Sequence, residues 1–184
     1  FFIGFAGILF YKSMNTNFIH LRTHSDYSLG QGAIKIKDLV AHAVDANFPA
    51  LALTDTNNLF ASLEFGLEAS KSGVQPIVGS VLSIAVDSKT NAAGFIGKYP
   101  ELLLIAQNDA GYQNLMKLVS KVHLEIDQQS QAHITLQMLE ELCEGLLLIC
   151  GGLESPVGKM FAENRLDEAT QLMNGFKQSF DSWA

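Results

Sequence analysis

Short apolar runs alternate with amphipathic stretches of helical period along most of this chain, and few architectures accept that order. Apolar runs at 18–24, 50–54, 76–86, 101–106 and 146–150 predict strands. Between them, Ile36, Leu39, Val40, Ala43 and Val44 share one face of a helix predicted over 36–46. Tyr112, Leu115, Met116, Val119 and Val122 do the same over 109–126. A helix near 58–72 is stopped by Gly73, and a short one follows Thr135 as N-cap. Leu166, Ala169, Leu172, Met173, Phe176 and Phe180 mark a last helix over 166–180. This order implies an α/β fold of βα units around a parallel sheet, with functional groups gathered at the carboxyl ends of the strands. Segments 87–100 and 127–133 read as loops.

The chain has 184 residues, 48% hydrophobic and only 17% charged, which supports a sizeable core and excludes disorder. Its net charge of −7, from 19 acidic and 12 basic side chains, excludes a grip on a nucleic-acid backbone by this segment alone. Cys143 and Cys150 lack metal-binding spacing and are expected to be reduced, buried or half-buried thiols of a cytoplasmic protein. Residues 1–13 are apolar, yet too short to span a bilayer and without the basic flank of a secretory signal. They are expected to be a non-native or upstream extension ahead of a start at Met14, with 14–184 as the domain proper; the mass of the cellular protein tests this. The chain stops at Ala184 just after a predicted helix, where a further strand is expected, so it reads as an N-terminal fragment.

The string over residues 18–26 places His20, Arg22, His24 and Asp26 on one face of the predicted first strand, because strand side chains alternate. Two imidazoles and a carboxylate suit a divalent cation. Arg22 stands among them, and its permanent charge repels a dication. At an effective dielectric of about 20, unit charges 4 Å apart interact by about 4 kcal/mol. An ion pair of Arg22 with Asp55 or Asp26 is expected instead. The second predicted strand ends in Thr54-Asp55-Thr56, and the third carries Gly79-Ser80-Val81.

Several strings carry a specific resemblance: His20-Leu-Arg-Thr-His-Ser-Asp-Tyr-Ser28, Gly32-Ala-Ile-Lys-Ile-Lys-Asp-Leu39, Pro49-Ala-Leu-Ala-Leu-Thr-Asp55, Gln75-Pro-Ile-Val-Gly79 and Gly111-Tyr-Gln-Asn-Leu115. From about Phe18 onward the chain resembles the N-terminal PHP (polymerase and histidinol phosphatase) domain of bacterial DNA polymerase III alpha subunits. The resemblance implies a distorted barrel of about seven βα units, here without the later units, that can hold a trinuclear metal centre. Carried over position by position, the family's His-x-His motif falls on Arg22 and His24. The acidic residue before a shared glycine falls on Gln31, the Thr-Asp-His motif on Thr54, Asp55 and Thr56, and a later glutamate on Val81. The resemblance therefore implies a decayed centre whose vestigial positions are His20, Arg22, His24, Asp26, Gln31, Asp55, Thr56 and Val81, with no metal and no catalytic residue in this segment.

The same resemblance implies a scaffold that docks the proofreading exonuclease subunit. It implies DNA synthesis in a separate palm domain using Mg²⁺, and work with a sliding clamp and clamp loader, with DNA held by other domains and no membrane involved. The alternative is an active metal-dependent phosphoesterase or 3′-5′ exonuclease, which needs ligands that the sequence does not supply. Plainer roles stand beside these: His24 and His20 as structural histidines, Asp55 as a helix cap or ion-pair partner, His42, His123 and His133 facing solvent, and Gly151-Gly152 as a simple turn.

Overall fold

A computed structural model describes residues 18–86, 97–124 and 131–180, so the expectations for residues 1–13, for most of 87–100 and for the chain end lie outside the described residues. The chain divides into two compact units: the first takes in residues up to Leu53 together with Ala61–Ile77, the second Thr54–Phe60 together with the chain from Val78 onward.

In the first unit, helix α1 (Ile36–Asp45) buries Ile36, Leu39, Val40 and Ala43, while Val44 stays exposed at the edge of the expected stripe. Strand β1 (Ala50–Leu53) is buried at all four positions. Helix α2 (Ser62–Lys71) begins later than the predicted 58, because the residues before it serve another purpose described below. It buries Phe65 and Ala69 against Leu39, Val40, Leu51 and Leu53. Gly73 ends it as foreseen: its φ of +76° lets Val74 N–H return to the Ala69 carbonyl at 2.9 Å.

Strand β2 (Gln75–Ala85) starts in the first unit and continues into the second. There it lies beside β3 (Glu101–Ala106), which pairs in turn with β5 (Leu146–Ile149); β4 (Ile134–Thr135) adds to β2. The sheet differs from the parallel one expected. β2 and β3 are antiparallel with Val81 opposite Leu103, β3 and β5 are antiparallel with Leu104 opposite Leu148, and β4 runs parallel to β2. Continuous apolar runs say that a strand is buried on both faces but carry no information about its direction.

Helix α3 (Asp109–Leu124) covers this sheet with Leu115, Leu118, Val119 and Val122. Leu118 takes the inward place expected of Met116, which is 40% exposed. Thr135 caps α4 (Leu136–Glu141) as predicted, its hydroxyl accepting Met138 N–H at 3.3 Å. Helix α5 (Pro156–Ala162) went unpredicted although Ser155-Pro156 signals a start: Ser155 Oγ accepts Gly158 N–H at 3.0 Å, with Pro156 in the first turn. Helix α6 (Leu166–Phe180) buries Ala169 and Phe176, whereas Leu166 and Met173 remain exposed. Cys143 and Cys150 are free and half-buried, and burial pushes both thiols above their ordinary pKa.

The Gly111-Tyr-Gln-Asn-Leu115 string turns out to be a packing device. A Cβ on Gly111 would meet the Gly145 carbonyl oxygen at 1.8 Å, so only glycine lets α3 approach the turn before β5. Asn108 Oδ1 accepts Gly111 N–H at 2.9 Å, Asn114 Nδ2 donates to the Glu144 carbonyl at 3.0 Å, and Leu115 is fully buried.

Candidate functional site

The positions singled out in the sequence fall into two groups, one in each unit. In the first unit, residues 18–24 do not form the expected strand. Ala52 N–H donates to the His20 carbonyl at 3.0 Å, which ties this segment to β1. From Ser25 the chain turns back on itself: Ser28 N–H reaches the Ser25 carbonyl at 3.0 Å, Gly32 N–H reaches Ser28 at 2.9 Å, and Asp26 N–H reaches Ile34 at 3.0 Å.

His20 and Arg22, both exposed, line a cleft of about 320 Å³ with Thr23, Leu39, His42 and Phe48, whereas His24, Asp26 and Gln31 do not line it. His24 is half-buried, its Nδ1 3.4 Å from Ser28 Oγ. The His20 ring meets Phe18 and Phe48 edge-on, with centroids 4.7 and 5.1 Å away.

In the second unit Asp55, Thr56 and Val81 are brought together. Asp55 is 2% exposed, and its carbonyl accepts Ser80 Oγ–H at 2.7 Å and Val81 N–H at 3.2 Å. Thr56 bridges Val81 in parallel fashion. Asp55 does not cap α2, whose N-cap is Ala61 without a side-chain hydrogen bond. The residue that organises the loop was missed in the sequence. Asn57 adopts φ +53°, a conformation that asparagine tolerates better than most residues. From there it donates N–H to the Val81 carbonyl at 2.8 Å, accepts Ser83 N–H at 2.9 Å and donates Nδ2–H to Ser83 Oγ at 3.2 Å. His123, exposed as expected, donates Nε2–H to the Asn57 carbonyl at 2.9 Å. His133 is half-buried, unlike the expectation, and stacks on Tyr99 with centroids 4.2 Å apart, while His42 is exposed as expected. Gly152, at φ +92°, belongs to a plain turn closed by Ser155.

Asn57→Ala is expected to destabilise the protein by about 2–3 kcal/mol, combining left-handed strain with an unsatisfied Ser83 N–H. Asn57→Gly relieves the strain but not the lost bonds, so it is expected to fall between the two. Urea unfolding of the three proteins checks this, and an unchanged midpoint for the alanine variant refutes it.

The donor set does not fit a multinuclear metal centre. At the positions marked by the resemblance stand a guanidinium (Arg22), a carboxamide (Gln31), a hydroxyl (Thr56) and an isopropyl group (Val81), beside the surviving His24 and Asp55. Among the described residues no three His, Cys, Asp or Glu side chains are placed to share an ion, and no buried side-chain nitrogen or oxygen lacks a hydrogen-bond partner.

The described residues form a mixed α/β fold with a five-stranded sheet. The PHP domain model matches residues 20–182, and the chain belongs to that family. It is similar to the DNA polymerase III subunit alpha of Rickettsia bellii, 38% identical over 167 residues, covering 91% of this chain and 14% of that protein. The corresponding subunit of Caulobacter vibrioides is 37% identical over 156 residues, covering 85% and 14%. That of Thermus aquaticus is 35% identical over 162 residues, covering 85% and 13%. The chain thus spans only 13% to 14% of the length of these relatives. Among the described residues no helix is long and apolar enough to cross a membrane.

Proposed function

We propose that this chain is the PHP module of a replicative DNA polymerase alpha subunit, that it performs no catalysis itself, and that it serves as scaffold and docking site for the proofreading exonuclease subunit in the cytoplasm. The observation that carries the reading is the ligand set: Arg22, Gln31, Thr56 and Val81 stand where metal-binding members hold donors, while the alpha-subunit similarity runs through the same residues. The loop over 55–57 is held by backbone and amide hydrogen bonds to β2, which supports a structural use of the old site. DNA synthesis belongs to a palm domain carrying Mg²⁺ in the whole protein, which also meets DNA, the sliding clamp and the clamp loader.

Elemental analysis of the purified protein and a 3′-exonuclease assay test the silent centre. Substoichiometric zinc and manganese with no nuclease activity are expected. Tightly held ions in stoichiometric amount together with nuclease activity overturn the reading in favour of a working phosphoesterase. Docking is tested separately, by co-elution of the full-length alpha subunit with the exonuclease subunit of the same organism and loss of co-elution when this module is removed.

A further inference from the structure

We propose that the outward face of α2 is a self-docking surface, on which α2 of a second copy of this chain packs antiparallel about a two-fold axis. The inward face of the helix is used up inside the first unit, where Phe65 and Ala69 are fully buried. Outward stand Leu63 and Leu67, one turn apart and 72% and 66% exposed. Gly66 lies between them in the helix interior, where glycine is the least favourable residue after proline. A Cβ at Gly66 would meet nothing within 4 Å among the described residues, so no contact inside the unit accounts for the glycine. A second helix crossing close to the backbone at this point does account for it.

The charges beside the leucines select the occupant. Glu64 in the first turn and Lys71 in the last lie two turns apart along one flank of the row, and both are exposed. Among the described residues neither has an ion-pair partner. In an antiparallel pair whose axis passes between positions 67 and 68, Glu64 faces Lys71 of the second copy, and Lys71 faces Glu64 of that copy. The two Leu67 side chains then meet at the axis. A parallel pair would set Glu64 against Glu64 and Lys71 against Lys71. The surface is therefore complementary to itself in the antiparallel orientation, as a two-fold contact requires. A pair of ten-residue helices buries less than the roughly 1,200 Å² of a stable complex, so the dimer is transient, with a Kd above about 10 µM. The contact uses none of the vestigial metal positions and is separate from the docking role.

Sedimentation equilibrium of the full chain, from about 10 µM to about 1 mM at low salt, tests the contact. A reversible monomer–dimer equilibrium is expected. Glu64→Lys and Lys71→Glu each bring like charges together twice per dimer, and each is expected to weaken association about tenfold. Mixing the two single variants restores opposite charges at both contacts, as does combining both changes in one chain. Either is expected to return the affinity to within about threefold of the parent. Leu67→Gln removes the apolar contact at the axis and is expected to weaken association by at least about tenfold. All three positions are exposed, and the thermal midpoint of each variant verifies that it folds. A parent chain that stays monomeric throughout overturns the proposal. So do substitutions at 64, 67 or 71 that leave association unchanged, or single charge variants that fail to recover on mixing.

Discussion

Gly111→Ala is expected to lower the stability of this protein by about 3 kcal/mol, a cost at the upper end for overpacking in a well-packed core. Two effects oppose each other. Alanine is the better helix former by up to about 1 kcal/mol, which alone would stabilise α3. Against it, the new methyl would sit 1.8 Å from the Gly145 oxygen and 2.5 Å from its carbonyl carbon, both backbone atoms that cannot rotate away. Gly145 cannot retreat cheaply either. Its carbonyl accepts Gln107 N–H at 2.9 Å, it holds φ +71°, and β5 begins at the next residue. Relief therefore requires α3 to lift from the sheet, exposing part of the layer made by Leu115, Leu118 and Leu104. The clash wins. At about 2–4 °C per kcal/mol for a chain of this size, the thermal midpoint is expected to fall by roughly 6–12 °C. A loss below about 1 kcal/mol would mean that the contact relaxes locally and that the string containing Gly111 is kept for another reason.

What the sequence made legible follows from which physical signals a chain writes locally. Strand β3 was read at its observed bounds because five consecutive buried residues, from Glu101 to Ile105, leave no competing period. The end of α2 at Gly73 and the cap at Thr135 were legible because backbone conformation and side-chain chemistry meet in one residue. Strand direction was not, since residues such as Leu102 and Leu104 look the same whichever way their neighbours run. The segment over 18–24 takes no strand conformation for a related reason: alternation in a sequence does not by itself supply a partner ladder. The vestigial positions were named from a resemblance. Their grouping, Asp55 and Thr56 against Val81, depends on Asn57, whose role needs a left-handed backbone and a strand register that no local pattern announces. A run of Asp, Thr and Asn reads equally well as a helix cap or an ion-pair partner.

Gly32→Ala is expected to destabilise the protein by about 2–3 kcal/mol, to the same extent in EDTA and in manganese. The resemblance places an acidic ligand where Gln31 stands, immediately before this glycine, which raises the question of what the glycine serves without that ligand. The geometry answers with the loop itself. A Cβ here would lie 2.0 Å from the Ser25 oxygen, 2.7 Å from its carbonyl carbon and 3.0 Å from the carbonyl carbon of His24. The turn cannot open without losing Gly32 N–H to the Ser28 carbonyl at 2.9 Å and Asp26 N–H to the Ile34 carbonyl at 3.0 Å. The glycine is thus required by the path of the chain, with or without an ion. Gln31 is exposed, and Gln31→Glu is expected to change stability by less than about 0.5 kcal/mol in either medium. Urea midpoints of the parent and both variants, each measured with EDTA and with manganese chloride, separate the two accounts. If Gly32→Ala is tolerated, or if Gln31→Glu gains stability only when manganese is present, the loop is still shaped for metal and the structural account of this site fails.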